Sequence, residues 1–88
     1  MDKSEMVEIR GAIRSFLVDN FLFGQADRLK DDEPLLDSVV ESSGVLELVS
    51  FLEEHFDIIM KDKDINPANL GSVDKIVGCV TRKLQEKS

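Results

Sequence analysis

One hydroxyl in this chain is placed to do chemistry. Ser42 leads the run Ser43-Gly44-Val45-Leu46-Glu47-Leu48-Val49-Ser50-Phe51-Leu52-Glu53-Glu54-His55-Phe56, which reads as an amphipathic helix whose outward positions are mostly acidic or small. The first amides of a helix have no partner within it, and its N-terminus carries partial positive charge. A phosphate linked to a side chain at that point is therefore held by the helix end. Residue type and position together point to a modification site beside a docking surface.

The remaining chemistry-bearing residues form no such constellation. His55 is the sole histidine and Cys79 the sole cysteine, and neither has a neighbour that completes a metal or nucleophile set. Asp62-Lys63-Asp64-Ile65-Asn66 opens like a calcium loop, but Pro67 stands where glycine is needed for the sharp turn and Val73 where a bidentate glutamate should stand. No metal site is expected, and no catalytic one. Cys79 reads as a small, partly buried side chain of the last helix, and the phenylalanines as core and loop anchors; with no interleaved basic residues they make no base-stacking platform.

The elements that must position Ser42 follow from hydrophobic spacing. Met6, Ile9, Ile13, Phe16 and Leu17 predict a first helix over roughly 4–18, with Ser4 and Glu5 at its start. Asn20 and Gly24 should break it, and Asp31-Asp32-Glu33-Pro34 turns but does not continue a helix. The long loop that follows is uncommon in a compact domain unless pinned; Phe21, Phe23, Leu29, Leu35, Leu36, Val39 and Val40 are its candidate anchors. A second helix is predicted over 42–56, with Val45, Leu48, Val49, Leu52 and Phe56 inward and Glu47, Ser50, Glu53 and Glu54 outward. The segment 61–70, turning at Asn66-Pro67, allows a short helix. Ser72 caps a last helix with the stripe Val73, Ile76, Val77, Val80 and Leu84, whose negative C-terminal end suits Arg82, Lys83 and Lys87. The expectation is one all-α domain over 1–88: three main helices, a short third one, and a long loop between the first two.

Length and charge bound the function. A chain of 88 residues buries only roughly 60% of its unfolded surface, enough for one modest core but not for a deep cleft. The net charge of −7 is unevenly spread: between Asp31 and Met60 there are nine acids and no Lys or Arg, while the other 58 residues hold nine acids and eleven bases. Such a field argues against nucleic acid and for a basic protein partner. With one cysteine, a polar start at Met1-Asp2-Lys3-Ser4 and no uncharged run of membrane-spanning length, a cytoplasmic monomer without membrane insertion is expected.

Glu41-Ser42 followed by Gly44-Val45-Leu46-Glu47-Leu48-Val49 and Phe51-Leu52-Glu53-Glu54-His55-Phe56-Asp57-Ile58 resembles the central motif of acyl carrier proteins, an Asp-Ser-Leu triplet leading an acidic second helix. The likeness continues through Asp62-Lys63-Asp64-Ile65-Asn66-Pro67-Ala68-Asn69-Leu70 and Gly71-Ser72-Val73-Asp74-Lys75-Ile76, covering roughly 30–84. The resemblance implies the acyl-carrier four-helix bundle, with a 4′-phosphopantetheine arm donated from coenzyme A by a phosphopantetheinyl transferase and attached to Ser42. Acyl cargo would ride on the arm as thioesters, loaded and processed by ligases, synthases and acyltransferases with basic docking surfaces. In the family the serine precedes the helix-end Phe by fourteen residues, the interval from Ser42 to Phe56. Ser38, in the more literal match Asp37-Ser38-Val39, lies four residues before the helix and out of that register.

The resemblance further implies a partner face of Glu41, Ser43, Leu46, Glu47, Ser50, Glu53, Glu54 and Asp57, and an acyl-chain pocket walled by Val49, Leu52, Phe56 and Leu70. Three positions depart from the pattern: Glu41 replaces Asp, Ser43 replaces Leu, and Ser50 is small where a larger apolar residue is common. Docking should accordingly lean on charge, and the small shoulder Ser43-Gly44 should leave the Ser42 oxygen open to the transferase. Two other readings stand beside this one: an aminoacyl or peptidyl carrier for a dedicated synthetase, and an unmodified acidic helical interaction module.

Overall fold

The periodic apolar residues form the helices they predict. The computed structural model describes residues 3–36 and 39–87, with the side chains of Lys3, Ser42 and Lys87 set aside. Helix α1 spans Lys3–Phe21, α2 Ser42–Phe56, α3 Pro67–Leu70 and α4 Val73–Lys87, with single 3-10 turns at Ala26–Arg28 and Asp62–Asp64. Among the described residues no strand forms, only an isolated bridge between Leu36 and Val40. This is an all-α bundle of the acyl-carrier type.

Helix α4 is the central element, packing against α1, α2 and α3, while α1 also meets α2. Each helix contributes its inward stripe: Ile9, Ile13 and Leu17 from α1, Leu48, Val49 and Leu52 from α2, Leu70 from α3, and Val73, Ile76, Val77 and Val80 from α4. Burying side chains of this kind stabilises by roughly 1.5–3 kcal/mol each. The caps act as residue type predicts. Asn66 Oδ1 accepts the Asn69 N–H at 3.0 Å ahead of Pro67, and Ser72 Oγ accepts the Lys75 N–H at 3.2 Å.

Helix α1 runs past its expected end. Asn20 does not break it, because its Nδ2 donates back to the Phe16 carbonyl at 2.8 Å within the helix. The break comes at Phe23 and Gly24, with φ of 53° and 81°, where the Gly24 N–H returns to Val18 O at 3.0 Å. Phe21 therefore belongs to α1. Phe23, expected as an anchor, is 91% exposed: the left-handed turn that ends the helix carries its ring outward.

The long loop is pinned at both faces. Leu29, Leu35 and Val40 are buried, with Leu36 and Val39 half-buried. Arg14 donates to Asp31 and to the Leu29 carbonyl at 2.9 Å, while Arg10 joins Asp31 at 3.0 Å to Asp74 of α4 at 2.5 Å. The hydrogen bond to Asp74, with the charge of Asp31, holds the Arg10 guanidinium above its ordinary pKa. Two backbone bonds complete the attachment, Leu35 N–H to Gly71 O at 2.8 Å and Asp74 N–H to Asp31 O at 3.0 Å. These ion pairs are partly exposed, so each adds at most about 1 kcal/mol; the buried leucines do most of the holding.

The basic end of α4 is used differently from expectation. Arg82 donates to Asn69 Oδ1 at 2.7 Å and Lys83 to Asp64 Oδ2 at 2.6 Å, so both reach across to the 61–70 segment instead of serving the terminal carbonyls. A specific acceptor within hydrogen-bond reach outcompetes the diffuse charge of a helix end.

Candidate functional site

Ser42 is the first residue of α2. The chain enters the helix through Val39 and Val40, whose N–H groups both donate to Leu35 O at 2.9 and 2.8 Å. Glu41 follows in extended conformation (φ −80°, ψ 168°) as the cap residue, its carbonyl accepting from Gly44 N at 2.8 Å and Val45 N at 3.1 Å. Its side chain makes no capping bond. The leading amides of α2 are thus not engaged by the carboxylate beside them, and the helix end keeps its affinity for an anion. A helix end of this kind suits an anionic group carried by its leading residue. Asp37 and Ser38 lie outside the described residues.

Gly44 does not form an open shoulder. It is buried, and a Cβ built on it would lie 2.6 Å from Phe21 Cε1 and 3.4 Å from Val40 Cγ1. The glycine lets the last residue of α1 press against the first turn of α2, which fixes where that turn sits. Ser43 is exposed as expected. Only its half of the small-residue shoulder faces outward.

Along α2, Glu41, Leu46, Glu47, Ser50 and Glu54 are exposed, and Leu46 is a large apolar side chain left 67% in solvent. Asp57 is exposed too, in left-handed conformation (φ 55°, ψ 51°) where the helix ends. Glu53 departs from the expected face: it is half-buried, and its Oε2 accepts the Met60 N–H at 3.0 Å, tying down the segment after the helix. The acidic face therefore centres on Glu47 and Glu54.

Sequence reasoning missed a feature of this face. Phe16 of α1 and Phe51 of α2 stack at 4.3 Å between ring centroids, and together with Leu46, Glu47, Ser50 and Glu54 they line a shallow groove of about 470 Å³. His55 also stacks on Phe51, at 5.0 Å between ring centroids. The available signal was spacing: Phe51 lies four residues after Glu47 and three before Glu54, on the same helix face as both acids. Of the residues expected to wall an acyl-chain pocket, Val49, Leu52 and Leu70 are buried in the common core and Phe56 packs against it. Asp64 of the calcium-like run is committed to the Lys61 N–H and to Lys83. Burial pushes the Cys79 thiol pKa up, the direction of an unreactive thiol.

No family model matches the chain. It is 33% identical over 63 residues to a protein named "Probable acyl carrier protein PigG" from Serratia sp. (strain ATCC 39006), an alignment covering 70% of this chain and 72% of that one. With the helical bundle and a serine leading its acidic second helix, that relationship shows that the chain belongs to the acyl carrier protein family.

Proposed function

We propose that the chain is an acyl carrier whose Ser42 receives 4′-phosphopantetheine from coenzyme A and which presents cargo to partner enzymes. The observation that carries this reading is Ser42 standing first in α2, behind a Glu41 side chain that makes no capping bond, in a member of this family. When bound, the group supplies a terminal thiol on which acyl cargo is held as a thioester. The first turn of α2 stabilises the diester's charge, and Phe21 against Gly44 sets where that turn lies.

Glu47 and Glu54 steer basic partner surfaces toward the arm, while Leu46 and the groove floor of Phe16 and Phe51 add apolar contact at close range. Bond-making belongs to the partners: the transferase, the loading ligase, and the synthases or acyltransferases that dock in turn. An alkyl chain enters the core only as Val49, Leu52 and Leu70 part, because they are close-packed there. No described helix is long and apolar enough to cross a membrane.

Incubating the chain with coenzyme A, magnesium and a broad-specificity phosphopantetheinyl transferase is expected to raise its intact mass by one arm. Ser42→Ala should stay unmodified and Ser38→Ala should be modified normally. A folded wild-type chain of unchanged mass, or an arm that disappears in Ser38→Ala, overturns the reading.

A further inference from the structure

The outward line of α2 is hollow at its middle. Ser50 is small and exposed, with Glu47 on the turn before it, Glu54 on the turn after it and Phe51 beside it, while Leu46 and Phe16 of α1 close the flanks. Glu47, Ser50, Phe51 and Glu54 follow one another at intervals of three, one and three residues. That is the four-residue hole in which one helix receives a single side chain of another packed across it.

One wall of the hole is a row of rings. Phe16 and Phe51 stack with their planes 12° apart, and Phe21 meets Phe16 edge-on at 6.0 Å between centroids. With Phe21 against Gly44 and Phe16 against Phe51, α1 and α2 run in opposite senses along this flank, and the row braces two turns of α2. The apolar contact that Ser50 does not offer is supplied instead from the flank shared with α1. Charge at the hole has one sign. Its charged residues are Glu47 and Glu54, seven positions and about 10 Å apart along the axis, and no Lys or Arg lies between Asp31 and Met60. The arginines of α1, Arg10 and Arg14, are engaged with Asp31 and Asp74.

We propose that this hole is a socket for one apolar side chain of a partner's amphipathic helix, flanked on that helix by two basic residues seven positions apart. This rests on the reading of the α2 face as the partner surface and adds what the partner must bring: the carrier supplies the hole and the partner the knob. A leucine-sized knob seats over Ser50 against Phe51 and Phe16, and its basic neighbours reach Glu47 and Glu54 with their aliphatic stems along the apolar flanks. Nucleic acid and anionic lipid carry the sign that the two carboxylates repel, and a second copy of this face would set acid against acid. A partner built to receive a protruding apolar residue at position 50 finds none here.

The test is an amide chemical-shift titration of the full chain at low salt with a lactam-stapled, end-blocked helix of about fourteen residues, long enough to be helical once stapled, carrying two arginines seven positions apart and one leucine between them. Shifts are expected at Phe16, Glu47, Ser50, Phe51 and Glu54 and not over 61–70. Replacing the peptide leucine with alanine should weaken binding by about tenfold. Replacing both arginines with glutamine, or raising the salt, should weaken it by about as much. Ser50→Leu fills the socket: it should weaken the leucine helix several-fold and bind the alanine helix at least as well as the wild-type chain does. The amide spectrum of each variant reports that it is folded. Tighter binding of the leucine helix by Ser50→Leu would mean that this face works by protruding and overturns the proposal, as do absent shifts, shifts centred elsewhere, or binding indifferent to the peptide leucine. Concentration-dependent shifts at the same residues without peptide would make the occupant a second copy and overturn it too. The readout does not require the arm, so intact peptide binding by a chain that the transferase leaves unmodified would sink the carrier function while the socket stands.

Discussion

At Glu47 and Glu53 the same residue type serves two different purposes. Glu47 is exposed on the groove rim, where the role proposed for its charge is long-range steering, whereas the Glu53 carboxylate accepts from the Met60 amide. Charge reversal at Glu47 should therefore lower the rate of phosphopantetheinyl transfer at low salt several-fold and flatten its salt dependence, with thermal stability little changed. Stopped-time mass spectrometry across a range of ionic strength checks this. A Glu47→Lys chain with wild-type rates and wild-type salt sensitivity would remove the steering role.

At the scale of the element, α2 is held by its first turn. Gly44 is unfavourable within a helix by roughly 1 kcal/mol relative to Ala, yet the Phe21 ring occupies the space a side chain would need. Gly44→Ala gains that propensity and loses more by overpacking, which typically destabilises by about 1–3 kcal/mol. The expected result is a net lower denaturant midpoint, with Gly44→Leu worse. Because the strain comes from one ring, Phe21→Ala should make Gly44→Ala neutral or stabilising in the shared background, a non-additivity that a double-mutant cycle measures. Additive effects would show that the ring does not set the position of this turn.

For the whole molecule, a few cross-links join segments distant in sequence, and their charge makes stability depend on pH. The hydrogen bond from Lys83, aided by the Lys61 amide, holds Asp64 below the usual carboxylate range, and Asp64 in turn raises Lys83. A lowered folded-state pKa means that the unfolded chain binds the proton more readily. The Asp64 contribution is thus complete above the unfolded carboxylate pKa of about 3.9 and fades as pH falls through the folded value. Lys83 behaves in the opposite sense: its contribution is complete below an unfolded pKa of about 10.4 and is lost as pH rises through the raised folded one. Asp64→Asn should accordingly lower the denaturant midpoint at neutral pH, and its difference from wild type should shrink both in strong acid and in strong base. A difference independent of pH would assign the effect to packing.

Much of this was legible in the residues themselves. The bounds of α2 follow from a change of composition at Glu41-Ser42 and an apolar period that ends at Phe56, both local properties, and the caps at Asn66 and Ser72 are local too. Glu47 and Glu54 as outward acids likewise need only helical spacing, whereas Ser42 as the candidate anchor rests on the resemblance to the carrier motif and its interval to Phe56. Contacts between segments far apart in sequence could not be read this way. Whether Gly44 opens a surface or receives a ring depends on where Phe21 arrives, whether Phe23 anchors the loop depends on the hand of the turn that ends α1, and whether Arg82 and Lys83 serve a helix end depends on what folds opposite them. Local pattern sets which face of each helix is apolar; only packing decides which neighbour meets it, and with that the shape of the groove where Phe16 of α1 meets Phe51 of α2.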